Sequence, residues 1–454
     1  MMRYEQTTTL LKEVESHARD WFASLDTRPV CATATGDELR RTLGGPLPDR
    51  GVDPEAVIRL LADAAAGGTI ASAGPRYFGF VIGGSLPAAT ASDWLVSAWD
   101  QNAAVYAMSP IVSVIEQVTG SWLRDLAGLP PTMSVGFVTG CEMASFTGLA
   151  AARHRVLRDA AWDVEADGLF GAPPIEVIVS EEAHYAITKA LRLLGLGGNR
   201  VRRIPADGAG RMRADMLADA LRAGRAPRIV CAQAGNVNTG AVDPLADIAE
   251  LTKAHDAWLH VDGAFGLWAR ANPASRVLTE GIEGADSWTT DGHKWLNTPY
   301  DGAMAICREA SALAAAMASD AVYVPPDPDA QRNLTLEFSR RPRGIAIWAA
   351  LRALGRSGLA ELIERHCAYA RRFAEGLSAA GLEVLNRVVL NQVLFRARDD
   401  ATTAALQARV QASGQLWFGS TRWQGRAACR LSVSSWRTTR EDIERAIAVI
   451  ADSQ

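Results

Sequence analysis

Several side chains in the middle of the chain stand where a reaction would need them. Residues 286–297 read DSWTTDGHKWLN, which sets Lys294 between His293 and Trp295 after a run of small polar residues. An exposed lysine needs no such company, whereas a lysine amine held in place can condense with an aldehyde. Upstream, WLHVDGAF carries Asp262 directly after an apolar run, where a carboxylate is costly unless it meets a cation. The run IVSEEAH ends on His184, whose flat ring can lie against another flat ring. VCAQAGN adds Asn236, and Thr290 shortly precedes the lysine.

The elements that must position these residues are legible from their patterning. Strands are expected at 175–180, 202–205, 228–232, 257–261, 285–289 and 303–307, and helices at 143–160, 183–194, 213–223, 245–255 and 309–318. The apolar runs barely alternate, as in a sheet buried on both faces, and strand–helix alternation implies mostly parallel strands. Ligands of open parallel sheets bind outside the carboxyl ends of the strands. His184, Asn236, Asp262, Thr290, His293 and Lys294 all fall at or just beyond such ends, so they are expected to meet at one site. A lysine, a carboxylate facing a cation and a flat imidazole are the parts of a pyridoxal phosphate site, where the cofactor is the electron sink and the protein sets geometry and charge. A metal site is not expected: His260 and Asp262 alternate on one strand, with no further ligands at the usual spacing.

Five segments carry a resemblance: GPRYFGF, AGNVNTGAVDP, HVDGAFGLWA, DSWTTDGHKWLN and EFSRRPRG. Over about residues 70–440 the chain resembles the group II pyridoxal-phosphate amino-acid decarboxylases. The resemblance implies an α/β fold of the aspartate-aminotransferase type (fold type I), with a mostly parallel seven-stranded sheet in a large domain and a small C-terminal α+β domain. It also implies an obligate homodimer with the active site at the interface. Lys294 would then carry pyridoxal 5′-phosphate, Asp262 would pair with the pyridinium nitrogen, and His184 would stack on the ring and steer the substrate carboxylate. Ala264 would leave room at the other ring face, and Asn236, His293 and Thr290 would lie near phosphate or ring. Thr139–Glu142, with Gly140, Cys141 and Glu142, would form the phosphate loop at a helix N-terminus. Tyr77, Phe78 and Phe80 would contact the substrate, an aromatic or apolar L-amino acid.

Two departures from the family pattern bear on this. Glu142 would repel a phosphate it faced, or else turn outward and favour the helix N-terminus. In many relatives a loop tyrosine reprotonates the substrate carbon; here Tyr323 precedes a double proline in VYVPPDPDAQRNLTLEFSRR and no tyrosine follows. Either another acid such as His184 delivers that proton, giving an amine, or the substrate carbon reacts with oxygen, giving an aldehyde. Aminotransfer and non-catalytic cofactor binding are weaker readings.

The bulk properties agree with an enzyme of this kind. The chain has 454 residues, 48% hydrophobic and 22% charged, with net charge −4 and no long basic run, which argues against nucleic-acid binding. Six scattered cysteines form no C-x-x-C pair, as expected in a reducing, cytoplasmic compartment. No apolar run is long enough to span a membrane. Three regions are expected: a helical, dimer-forming segment at 1–85, a cofactor-binding domain at 86–344 and a small domain at 345–454.

Overall fold

A computed structural model describes residues 2–224, 227–318, 327 and 329–454, with backbone alone for 2–4. Helices α1 (Met2–Ser24), α2 (Gly36–Leu43) and α3 (Pro54–Gly68) open the chain. Asp53 caps α3 by accepting from the Ala56 N–H, with Pro54 at the first helical position, where a missing N–H costs nothing. Then come α4 (Pro87–Trp99), α5 (Pro110–Ala127), β1 (Ser134–Val138), α6 (Cys141–Asp159), a one-turn α7 (Val164–Asp167), β2 (Glu176–Ser180), α8 (Tyr185–Leu193), β3 (Arg202–Ile204) and α9 (Ala214–Ala223). The large unit continues through β4 (Arg228–Gln233), α10 (Leu245–Ala254), β5 (Trp258–Asp262), a one-turn α11 (Pro273–Arg276), β6 (Ser287–Asp291), β7 (Ala303–Cys307) and α12 (Ala310–Met317).

The seven strands lie in the order β1-β7-β6-β5-β4-β2-β3. β7 runs antiparallel to both of its neighbours, and the other pairings are parallel. All six expected strands are present with ends within two residues; β1 was not among them. Successive strand side chains point to opposite faces, so the sheet builds two cores. On one face Ile178, Val230, Leu259 and Trp288 meet α5, α9 and α10. On the other, Val177, Val179, Ile229 and Trp258 meet α6, α8 and α12. α6 lies close because its buried side is small, with Ala144, Gly148, Ala151 and Ala152. A Cβ at Gly148 would stand 3.2 Å from the His260 ring.

The long helix α13 (Gly344–Ala379) leads into β8 (Glu383–Val384), β9 (Gln392–Arg396), α14 (Asp400–Ala412), β10 (Gly419–Trp423), β11 (Arg426–Ser432) and α15 (Arg440–Asp452). The four strands form an antiparallel sheet, β10-β11-β9-β8. α13 is interrupted at Gly355 (φ 63°) and serves both units. Ile347, Ala350 and Leu351 join the large core, while Phe373 and Leu377 join the small one. The seam therefore runs through α13 rather than at its start. Residues 76–78 also cross it: the Phe78 N–H donates to Trp417 O (2.8 Å), and the Ser432 N–H to Phe78 O (2.8 Å). Among the described residues no helix is long and apolar enough to cross a membrane.

Candidate active site

The lysine and its neighbours occupy a tight turn after β6. The Thr298 N–H donates to Gly292 O (3.1 Å), the Asn297 N–H to Lys294 O (3.2 Å) and the Gly292 N–H to Gly302 O (2.9 Å). Gly83 lies against this turn so closely that a Cβ there would stand 2.1 Å from Lys294 O. Trp295, wholly buried, donates through Nε1 to His366 Nδ1 (2.9 Å), and His366 Nε2 donates to Ser435 O (3.0 Å). The tryptophan beside the lysine is thus a peg into α13 and the segment after β11. On the other side of the lysine, His293 donates from Nδ1 to Gly302 O (3.1 Å) and stacks on Tyr300 at 4.3 Å. Burial lowers its pKa, opposed by Asp291.

Lys294 Nζ sits 2.8 Å from Asp291 Oδ2, with the carboxylate only 2% exposed. The other oxygen, Oδ1, accepts from the Cys141 N–H at the start of α6 (2.8 Å). Burial disfavours the lysine charge, but Asp291, with Asp262 acting the same way, outweighs that and holds Lys294 well above its ordinary pKa. Asp291 is itself clamped: its N–H donates to Ala264 O (2.9 Å) and its carbonyl accepts from Trp268 Nε1 (2.8 Å). The sequence alone gives Asp291 no role. The available signal was its place two residues past an expected strand end.

Across the register from Thr289, Asp262 is 8% exposed. Its Oδ1 accepts from the Ala264 N–H (3.1 Å) and the Thr289 hydroxyl (3.3 Å), and among the described residues no bond goes to Oδ2. His184 caps α8, its Nδ1 accepting from the Ala186 N–H (3.4 Å), so Nε2 carries the proton. Burial lowers the His184 pKa; Asp262 opposes this, and Lys294 and Arg430 act with it. Arg430, on β11, donates to Val237 O (3.1 Å) and is a cation of this site that sequence reasoning missed. Gly140 precedes α6 in extended backbone (φ −168°), and Cys141 is buried, which raises its thiol pKa well above the ordinary value.

The remaining expected residues have differing surroundings. Thr290 lies on the wrong side of β6: it shares the opposite face with Leu123, Leu126, Trp268 and Ile306, and its hydroxyl has no partner among the described residues. The period of two that puts Thr289 and Asp291 at the site sends Thr290 away from it, so the expectation for Thr290 is corrected. Phe78 is also withdrawn from the substrate, being 1% exposed and edge-on to Phe373 (5.1 Å) in the small core. Glu142 turns outward into an ion pair with Lys189 on α8. Asn236 braces its own loop, accepting from the N–H groups of Asn238 (2.9 Å) and Thr239 (3.1 Å). Tyr77 and Phe80 stack on Trp417 at 4.9 and 5.1 Å, forming an aromatic wall. Tyr323 falls outside the described residues.

Comparison with known proteins decides the family. The profile described as "Pyridoxal-dependent decarboxylase conserved domain" matches residues 39–398. The chain belongs to that family. It is similar to an aromatic-L-amino-acid decarboxylase of Bacillus atrophaeus (28% identity, covering 83% of this chain and 78% of the relative). It is also similar to an L-2,4-diaminobutyrate decarboxylase of Rhizobium meliloti strain 1021 (32% identity, 80% and 75%). The fold matches a crystal structure of Oryza sativa TDC with PLP and tryptamine (TM-score 0.93, 23% identity, 99% and 97% of the two chains). As a member of this family, the chain is a pyridoxal-phosphate-dependent amino-acid carboxy-lyase of fold type I.

The residues present fit that cofactor. Asp262 Oδ2 is an unengaged carboxylate oxygen in a mostly buried position, the acceptor a protonated ring nitrogen requires. Lys294 supplies an amine at the end of the neighbouring strand. A Cβ at Gly140 would meet only His293, at 3.8 Å, which leaves open space at the entrance to α6.

Proposed function

We propose that this chain decarboxylates an L-amino acid with an aromatic or apolar side chain, as a cytoplasmic homodimer whose active site lies at the subunit interface. The observation that carries the reading is the convergence of Lys294, the open oxygen of Asp262 and the neutral His184 at the ends of β6, β5 and β2. Bound pyridoxal phosphate supplies a positively charged conjugated ring that takes up the electron pair left when carbon dioxide departs.

The protein side of the reaction follows from the positions. Asp262 would keep a proton on the ring nitrogen through a charge-assisted hydrogen bond to its open carboxylate oxygen. His184 offers an Nε2–H donor to the substrate carboxylate or, later, a proton to the carbon that lost it. Arg430 adds positive charge on that side. Exposed Phe80, stacked on Trp417 and backed by buried Tyr77 against the same indole, supplies a flat apolar wall for the substrate side chain. Burial, with Tyr300 nearby, pushes the Tyr77 hydroxyl up to about 12, so it stays neutral.

The dimer reading is supported by large apolar side chains left exposed on α4 and α5, among them Trp94, Trp99, Ile111 and Val114. Leu11, Leu60 and Leu61 on α1 and α3 give residues 1–85 a share in it. All six cysteines are free thiols, as suits a reducing compartment. The test is a panel of L-amino acids, in air and without oxygen, with carbon dioxide and organic product measured by mass spectrometry. An amine from aromatic substrates in both conditions is expected. No carbon dioxide from any substrate would overturn the reading, and an aldehyde formed only in air would change its product.

A further inference from the structure

Asp291 is the most completely engaged charged group of the site, and cofactor binding alone does not explain why. Its carboxylate touches both groups that a phosphorylated aldehyde would need: Oδ2 holds the Lys294 ammonium, and Oδ1 holds the first N–H of α6. A helix N-terminus attracts anions through its free N–H groups and its dipole. Here an internal anion already stands there. It cannot swing aside cheaply, because its backbone is tied on both sides and the side chain is 2% exposed.

We propose that Asp291 is a built-in counter-ion that caps the α6 N-terminus and holds Lys294 protonated while the site is empty, so that cofactor uptake must displace it from both. This rests on Lys294 being the attachment point. Attack on the aldehyde carbon needs the Nζ lone pair, so the ammonium must first pass a proton to water. The carbon–nitrogen bond then forms, and the aldehyde oxygen leaves as water. Asp291 works against both parts of loading. It stabilises the unreactive ammonium, and it sets a negative charge beside the incoming phosphate, where like charges repel strongly because water is largely excluded. The other titratable or charged groups facing this pair are His293, whose Nε2 lies 3.6 Å from Asp291 Oδ1, Tyr300 beside the turn, Cys141 on α6, Asp262 on β5 and His184 before α8, with Arg430 on β11 acting on His184. Among these, the carboxylate in direct contact with Lys294 is Asp291.

The test strips cofactor from the full chain and follows its return by absorbance. For the Asp291→Asn variant at pH 7.5, the second-order rate of pyridoxal phosphate uptake should rise about tenfold or more, the equivalent of lowering the amine pKa by about one unit. The pH at which uptake reaches its plateau should fall by a similar amount. Pyridoxal, which lacks the phosphate, should gain less, because only the amine effect applies to it. In the wild type, which needs no variant to fold, uptake should climb about tenfold per pH unit from 7 to 9. A wild-type plateau below pH 8, or a variant rate unchanged or reduced, would overturn the proposal. Borohydride reduction and peptide mapping separate this from failure of the attachment reading. A pyridoxyl group on Lys294 with unchanged rates sinks only the role of Asp291; an adduct elsewhere sinks both.

Discussion

Replacing His366 by glutamine tests the relay that seats the lysine turn and, with it, the acid stability of the whole fold. His366 is wholly buried, and burial lowers its pKa from 6.5 to about 3, the nearby Arg365 acting in the same direction. The unfolded chain binds a proton near pH 6.5 that the native state refuses. Stability is therefore full above 6.5 and is lost as pH falls, down to the folded value near 3. Each pH unit inside that window costs about 1.4 kcal/mol, so at pH 5 His366 removes about 2 kcal/mol. His260, lowered to about 4 by burial, adds a similar loss. Asp243, raised to about 7 by burial, works in the opposite direction over the same range, so the total slope does not isolate His366. The variant does. A glutamine amide can accept from Trp295 Nε1 and donate to Ser435 O, but it does not titrate in this range. Urea unfolding of wild type and His366→Gln between pH 7.5 and 5.0 should show the variant losing about 2 kcal/mol less over that interval. Parallel profiles, agreeing to within about 0.5 kcal/mol, would refute the assignment of a buried neutral imidazole to this position.

Three further outcomes are expected. Asp262→Asn replaces a charge-assisted bond worth about 1.5–3 kcal/mol with a neutral one, and should lower kcat/KM about 10- to 100-fold while Lys294 still takes up cofactor. Thr290→Val should leave activity unchanged and match or exceed wild-type stability in thermal unfolding, because it removes an unpaired buried hydroxyl on the face away from the site; a large loss of activity would contradict the facing of β6. Trp417→Ala should raise KM for aromatic substrates several-fold more than for small aliphatic ones, since it removes the surface on which Tyr77 and Phe80 stack; equal effects on both substrate classes would mean that the wall does not face the substrate.

The sheet and the lysine were legible because both leave local marks. Short apolar runs separated by amphipathic helices specify a parallel sheet buried on both faces, and its carboxyl ends specify where a ligand lies. Lys294, Asp262 and His184 stand at those ends, so their types and positions along the chain were enough to bring them together. β1 was missed because SVGFV is short and glycine-broken, and it owes its place to pairing with β7 far along the chain.

What the sequence could not determine was direction. Thr289, Thr290 and Asp291 are consecutive polar residues, and no local pattern says which of them faces the cofactor. Only the pairing of β6 between β5 and β7 fixes the face, putting Thr289 and Asp291 at the site and Thr290 behind it. Phe78 and Phe80 are two residues apart, as strand neighbours on one face would be. The backbone turns at Phe80 (φ 52°), so one ring fills the small core while the other lies exposed against Trp417. For Glu142 the sequence left open whether it faces the phosphate or turns outward; Lys189 on α8 draws it outward. Residue type and spacing along the chain thus determined which chemistry the protein carries. Contacts between distant segments decided which side chain of each candidate pair performs it, because side-chain direction depends on strand pairing and on partners that sequence distance does not encode.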